Sequence, residues 1–228
     1  QRCITRLDVD PRRPHNAAQI DAPLSANTVY CKVRGQMALG MGTAVTRGLV
    51  IDAETIVLNN HAVPPGSEIC VWIGPVQPEE GVQPAFRINP HEDYVKRDRA
   101  RDLIIIKTYS MPCRFKDIRH LLVRKTFRSV GVGQYYIKRL DNTVEKLDVV
   151  GADLGMLKGL CGAEDAISEA WRSHPTRATI SGECGAPLVL HTTLGSVVVG
   201  IHAGYNRLTN SAWAVRVFRE DFDDVRHP

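Results

Sequence analysis

Ser181-Gly182-Glu183-Cys184-Gly185-Ala186-Pro187-Leu188 sets one cysteine between two glycines, ahead of an apolar run. A glycine before the cysteine lets the backbone turn sharply, so that amide N–H groups converge on one point. The N–H groups of Cys184 and Gly182, with Glu183 between them, are candidates for an oxyanion hole at a tetrahedral intermediate. Gly185 leaves space for a close-packed turn beside the sulfur. A cysteine buried in a glycine-rich turn carries the same letters, so the reading depends on partners elsewhere in the chain.

A thiol with a pKa near ~8.5 is a poor nucleophile at neutral pH without a base or an imidazolium beside it. Among 8 histidines, His61 stands out because it ends the run Thr55-Ile56-Val57-Leu58-Asn59-Asn60. A carboxylate that fixes the imidazole's tautomer completes such a set. Asp102 opens Asp102-Leu103-Ile104-Ile105-Ile106-Lys107, an acid at the mouth of an apolar strand. Asp98 and Glu92 are rivals without such a strand, and pairing of Asp102 with Arg99 or Arg101 is the bland alternative. The order His61, Asp102, Cys184 makes the set coherent.

Outward from these residues the chain is β-rich. Short apolar runs recur at 28–33, 42–46, 56–59, 69–73, 102–108, 130–133, 135–139, 144–150, 187–190, 197–202 and 212–217, broken by Gly, Pro, Asn and Asp. That rhythm belongs to sandwiches and barrels, and so many strands suit two small closed barrels. Helical spacing is sparse: Glu164–Trp171 and Phe218–Val225 are the candidates. Residues 1–25, with Pro11, Pro14 and Pro23, read as an arm, and the proline-rich 75–90 stretch as a long surface loop. The expected division is an arm at 1–25, an N-terminal barrel at 26–112 with His61 and Asp102, a basic linker at 113–128, and a C-terminal barrel at 129–228 with Cys184 and His202.

Of 228 residues 43% are hydrophobic, which excludes a disordered chain, and no run reaches the ~18 apolar residues of a membrane span. The first residues lack a signal-peptide core, so secretion is not expected. A net charge of +4 is too small to identify a nucleic-acid binder. The 6 cysteines include no C-x-x-C pair, so they read as reduced thiols, and no metal or cofactor is expected.

With these residues in place, the chain resembles the 3C-type cysteine proteases of picornavirus-like positive-strand RNA viruses. Gly182-Glu183-Cys184-Gly185 is similar to that family's G-x-C-G, Thr179 stands where its T-x-x-G-x-C-G has threonine, and Gly200-Ile201-His202-Ala203-Gly204-Tyr205-Asn206 is similar to its G-x-H-x-G-x-N. The resemblance implies an all-β, chymotrypsin-like fold of two antiparallel six-stranded barrels with short helices at the termini and the site in the cleft. It implies polyprotein cleavage after Gln in the cytoplasm of an infected host cell, with Thr179, His202 and Gly204 forming the Gln pocket. A neutral imidazole and a hydroxyl can both donate to the Gln side-chain carbonyl, and a pocket built for that amide disfavours a carboxylate. Enterovirus-like members fix this histidine with a tyrosine before the nucleophile; here Ser173-His174-Pro175-Thr176 has none, leaving His174 as the stand-in.

Arg114-Phe115-Lys116-Asp117-Ile118-Arg119-His120 resembles the K-F-R-D-I-R segment with which picornaviral members bind viral RNA. Arg114, Lys116 and Arg119 would neutralise phosphates while Phe115 stacks or packs. The rival to proteolysis is therefore an RNA-binding module with a vestigial protease site.

Overall fold

The computed structural model describes residues 16–73, 83–109, 111–112, 115–158 and 167–223. One helix and thirteen strands order them: α1 (Ala17–Asn27), β1 (Thr28–Met37), β2 (Gly40–Asp52), β3 (Thr55–Asn59), β4 (Glu68–Trp72), β5 (Phe86–Ile88), β6 (Val95–Asp98), β7 (Leu103–Lys107), β8 (Gly131–Lys138), β9 (Val144–Lys158), β10 (Ile167–Pro175), β11 (Pro187–Thr192), β12 (Gly195–Asn206) and β13 (Ser211–Arg216). β8 to β13 close into a barrel, in the order β10-β13-β12-β11-β8-β9. β1 to β7 form a seven-stranded sheet, β5-β4-β1-β2-β3-β7-β6. The all-β, two-barrel architecture expected from the sequence is present, but the N-terminal unit is a seven-stranded half-barrel rather than a closed six-stranded one. Its edges are β5, of 3 residues, and β6, of 4, too short to supply a closing ladder.

Three apolar cores hold the molecule together. Val33, Ile56, Ile69 and Ile104 fill the half-barrel. Tyr135, Leu147, Trp171 and Leu188 fill the barrel. A third cluster lies between them, joining Leu49, Val57 and Ile105 of one sheet to Val189, Val198 and Val215 of the other, with Ile20 and Leu24 of α1 among them.

Two expectations about local structure are corrected. Residues 17–25 are not an irregular arm but most of α1: Asn16 and Gln19 form a reciprocal capping box that starts the helix ahead of Pro23. The helix expected at Glu164–Trp171 is instead strand from Ile167 onward; Glu164 lies outside the described residues. Trp171 points into the barrel while Glu169 faces Arg128 and Arg216, and β10 is paired on both sides, with β9 and β13. At the C-terminus, Arg219–Phe222 forms a short 3-10 turn. The former part of the 75–90 loop is also outside the described residues.

Candidate active site

Strand register brings His61 to Asp102. β3 is buried throughout and pairs with β7 so that Asn59 lies opposite Leu103. The next residues on either side are therefore Asn60 and Asp102, and the Asn60 N–H donates to the Asp102 carbonyl at 3.1 Å. The 3-10 turn Asn60–Ala62 then swings the His61 ring over the carboxylate, with Nδ1 2.6 Å from Oδ2. The His61 backbone N–H donates to Oδ1 at 2.8 Å. Asp102 is 1% exposed and its backbone stands at φ 56°, a conformation that Asp tolerates better than most residues. Arg97 on β6 fixes the same turn by donating to Asn60 Oδ1 at 2.8 Å and to the Val63 carbonyl at 2.7 Å. The two rival acids have other partners: Glu92 binds Arg97 and Asp98 binds Arg101.

The Cys184 turn is attached to both sheets. The Arg47 N–H and the Thr46 hydroxyl on β2 donate to the Cys184 carbonyl at 2.8 and 3.0 Å. On the other side the Gly185 N–H donates to the His202 carbonyl at 2.9 Å, and the His202 N–H to the Ala186 carbonyl at 2.8 Å. Gly185 has φ +91°, and a Cβ there would meet the Arg47 carbonyl oxygen at 1.9 Å, so only glycine fits. Cys184 is a free, half-buried thiol whose Sγ lies 3.5 Å from the Ala203 carbonyl, at the point where β12 and β13 shift register.

The expected oxyanion hole needs one correction. The Glu183 N–H already donates to the Ile180 carbonyl at 3.2 Å, closing the turn, so it is not a donor to substrate. The N–H groups of Gly182 and Cys184 have no protein acceptor among the described residues, and Gly182 has φ +96°. The Glu183 side chain, 3% exposed, accepts from the Ile180 N–H at 2.6 Å and from both terminal nitrogens of Arg177 at 3.0 and 2.7 Å. Burial alone would raise the pKa of Glu183, but these bonds hold the carboxyl below the usual range.

Thr179 Oγ1 and His202 Nε2 meet at 2.9 Å. His202 is fully enclosed, and burial pushes its pKa down to about 4, with Arg177 and His61 adding to the effect against the pull of Glu183. Tyr135 on β8 packs edge-on against its ring at 4.8 Å. His174 does not hold this imidazole; its Nδ1 faces the Asn210 carbonyl at 3.2 Å. Gly204 lies opposite Trp213, whose indole occupies the space a side chain would need.

The basic segment is not arranged for stacking. Phe115 is 1% exposed, inside the half-barrel core and edge-on to Phe86 at 6.2 Å, so it cannot receive a base. Arg119 is paired with Asp117 at 2.6 Å, and the Lys116 carbonyl is bonded to Asn27 at 2.7 Å. Arg114 lies outside the described residues. Three participants carried no sequence signal of this site: Arg47 and Tyr135 sit on strands distant from Cys184 along the chain and are brought in by the packing of the sheets, while Arg177, seven residues before Cys184, joins through its side-chain bonds to Glu183.

No protein-family model matches the chain, and no curated protein matches it in sequence. Its fold does match solved structures. Catalytically active tobacco etch virus protease complexed with product superposes with a TM-score of 0.57 at 17% identity, covering 97% of this chain and 82% of that one. Tobacco vein mottling virus protease gives 0.56 at 16% identity, covering 97% and 88%. The Rv3671c protease from M. tuberculosis, in its active form, gives 0.58 at 16% identity, covering 94% and 88%. The chain thus has the chymotrypsin-like fold found in 3C-like viral proteases, with its cysteine turn bonded across the seam between the two sheets.

Proposed function

We propose that the chain is a cysteine endopeptidase that processes a viral polyprotein in the cytoplasm of an infected host cell, cutting after Gln. The observation that carries the reading is the 2.6 Å contact between His61 Nδ1 and buried Asp102, on the strand system that also holds the Cys184 carbonyl. Asp102 fixes the tautomer that leaves His61 Nε2 as the base. His61 takes the proton of Cys184, and the thiolate adds to the scissile carbonyl carbon. The oxyanion is received by the Gly182 and Cys184 N–H groups. His61 then returns the proton to the leaving amine as the C–N bond breaks, and water, deprotonated by His61, hydrolyses the thioester.

Specificity for Gln rests on Thr179 and His202. A histidine with its pKa at about 4 is neutral at working pH and donates one N–H to the substrate amide oxygen. A Glu carboxylate would be desolvated there, and Arg177, the cation that acts on His202, is already paired with Glu145 and Glu183. The neighbouring folds are proteases of two plant viruses and a bacterium, and the GxCG and GxHxG resemblance favours the viral cysteine type. Any contact with viral RNA falls to Arg114, Lys116 and Arg119 as phosphate ligands, since Phe115 is in the core.

The test is cleavage of a Gln-containing peptide by wild type and Cys184→Ala, together with a Glu-for-Gln peptide. Wild type should cut the Gln peptide, Cys184→Ala should lose more than about 10³-fold, and the Glu peptide should be cut about 10-fold or more slowly. Undiminished cleavage by Cys184→Ala would falsify the assignment. An inert wild type, with Cys184 no faster than the other thiols toward iodoacetamide, would favour the RNA-binding rival.

A further inference from the structure

The turn that carries Cys184 is pinned by an arginine that the reaction itself does not use. Arg47 is on β2 of the half-barrel and only 8% exposed. Its Nη1 donates to the Gly182 carbonyl at 2.7 Å and its Nε to the Lys138 carbonyl at 2.9 Å, so one guanidinium bridges the nucleophile turn and β8. The guanidinium also lies over the Tyr30 ring at 4.9 Å. Removing a guanidinium from water to satisfy two neutral carbonyls and a ring face costs desolvation that no direct carboxylate contact among the described residues offsets. A leucine or methionine would fill the same space without that cost.

What the arginine controls follows from the peptide it holds. The carbonyl of the Gly182–Glu183 peptide is fixed by Arg47, and its N–H is fixed by the Ile180 carbonyl. The Ile180 N–H is in turn fixed by the Glu183 carboxylate, which Arg177 holds in place. The Ser181–Gly182 peptide is thus suspended between two anchored points. At φ +96° Gly182 has no steric bar of its own to a peptide flip, and a flip would aim the Ser181 carbonyl, rather than the Gly182 N–H, at the developing oxyanion.

We propose that Arg47 is a positioning residue for the oxyanion hole, holding the Gly182 carbonyl across the seam so that the Gly182 N–H faces the transition state. The inference rests on the reading of Cys184 as an acyl-transfer nucleophile. It also means that the half-barrel supplies both the base and the anchor for the hole that the barrel provides.

Two reactions of the same sulfur separate this role from general support. Peptide cleavage passes through a tetrahedral oxyanion. Alkylation by iodoacetamide does not: the thiolate forms an S–C bond as iodide leaves, and no oxyanion arises. Arg47→Met and Arg47→Lys are compared with wild type for kcat and KM on a Gln peptide and for the rate of Cys184 alkylation. Arg47→Met should lose about 10²-fold in kcat, the scale of one lost oxyanion-hole donor, with KM and alkylation within about two-fold of wild type. Arg47→Lys, which keeps the charge but not the fork, should fall between. An unchanged kcat in Arg47→Met overturns the inference while leaving the protease reading intact. So does a parallel fall of cleavage and alkylation in both variants, which marks a structural arginine. A wild type that does not cleave overturns the protease reading and this inference with it.

Discussion

His202 is a histidine that the fold keeps uncharged. Burial moves its pKa from 6.5 to about 4, and the edge of Tyr135 on one side and the Thr179 hydroxyl at Nε2 offer no counter-ion. A histidine depressed in the folded state binds its proton later than in the unfolded chain. Its contribution to stability is therefore fully present above pH 6.5 and is lost as the pH falls through the window down to about 4. The shift corresponds to about 3 kcal/mol at full extent. Urea unfolding at a series of pH values should show wild type losing stability more steeply across that window than His202→Gln; equal slopes would refute the buried neutral state. At this scale the sequence was readable where chemistry constrains its neighbours. Cys184 announces itself through its glycines, and Asp102 through the strand it opens. Arg47, by contrast, sits in Val45-Thr46-Arg47-Gly48, where an arginine reads as a solvated charge. Its burial comes from the seam, which local pattern does not encode. The Glu183 amide is a similar case: nothing in G-x-C-G says that the middle N–H is spent on Ile180.

The turn that delivers Asp102 depends on an element from the far end of the chain. Arg101 reaches from the β6–β7 turn to Asp221 in the 3-10 turn Arg219–Phe222, with contacts of 2.7 and 3.1 Å, and to the Arg216 carbonyl at 3.0 Å. Its guanidinium also packs over Phe218 at 4.8 Å, and Asp221 caps the Phe218 N–H at 2.9 Å. Asp98 holds the same arginine from a more exposed position, at 2.8 Å. Because Asp221 is buried and Asp98 is half-buried, removing each charge should have unequal effects. Asp221→Asn should cost about 2 kcal/mol, since it removes the buried carboxylate that takes two of the arginine's bonds and leaves only Asp98 to hold it, whereas Asp98→Asn should cost about 1 kcal/mol or less. Chemical denaturation of the two variants decides it, and equal losses would mean the C-terminal turn does not clamp the Asp102 loop. Elements as a whole were legible in proportion to their length and alternation. The long apolar runs emerged as strands, and 130–133 with 135–139 proved to be one strand, β8. β5 and β6 are too short to show a period. In β10, Ala170 and Trp171 followed Ala166 and Ile167 at helical spacing by coincidence, and two-sided pairing overrode it.

The two sheets are one machine only if they fold as one, because His61 and Asp102 come from the half-barrel and Cys184 from the barrel. The central apolar cluster argues that they do. Ile20 and Leu24 of α1 are fully buried where both sheets meet, and Asp21 on the same helix bonds Tyr136 and Lys146 of the barrel. This role was hard to read from the residues of α1, which combine weak amphipathic spacing with an internal proline. Truncating Ile20 to Ala opens a cavity that touches both sheets at once, and should lower stability by about 2–4 kcal/mol. The tryptophans allow the two halves to be followed separately: Trp72 lies on β4 of the half-barrel, Trp171 and Trp213 on β10 and β13 of the barrel. In each of two versions of the protein, one keeping Trp72 alone and one keeping Trp171 alone, Ile20→Ala should lower the urea midpoint by the same amount, with peptide cleavage lost at the midpoint of that version. If the Trp72 midpoint moved while the Trp171 midpoint stayed, the sheets would be independent units and the seam a docked contact. A common shift would instead make the core between the sheets the element that keeps the base and the nucleophile in register.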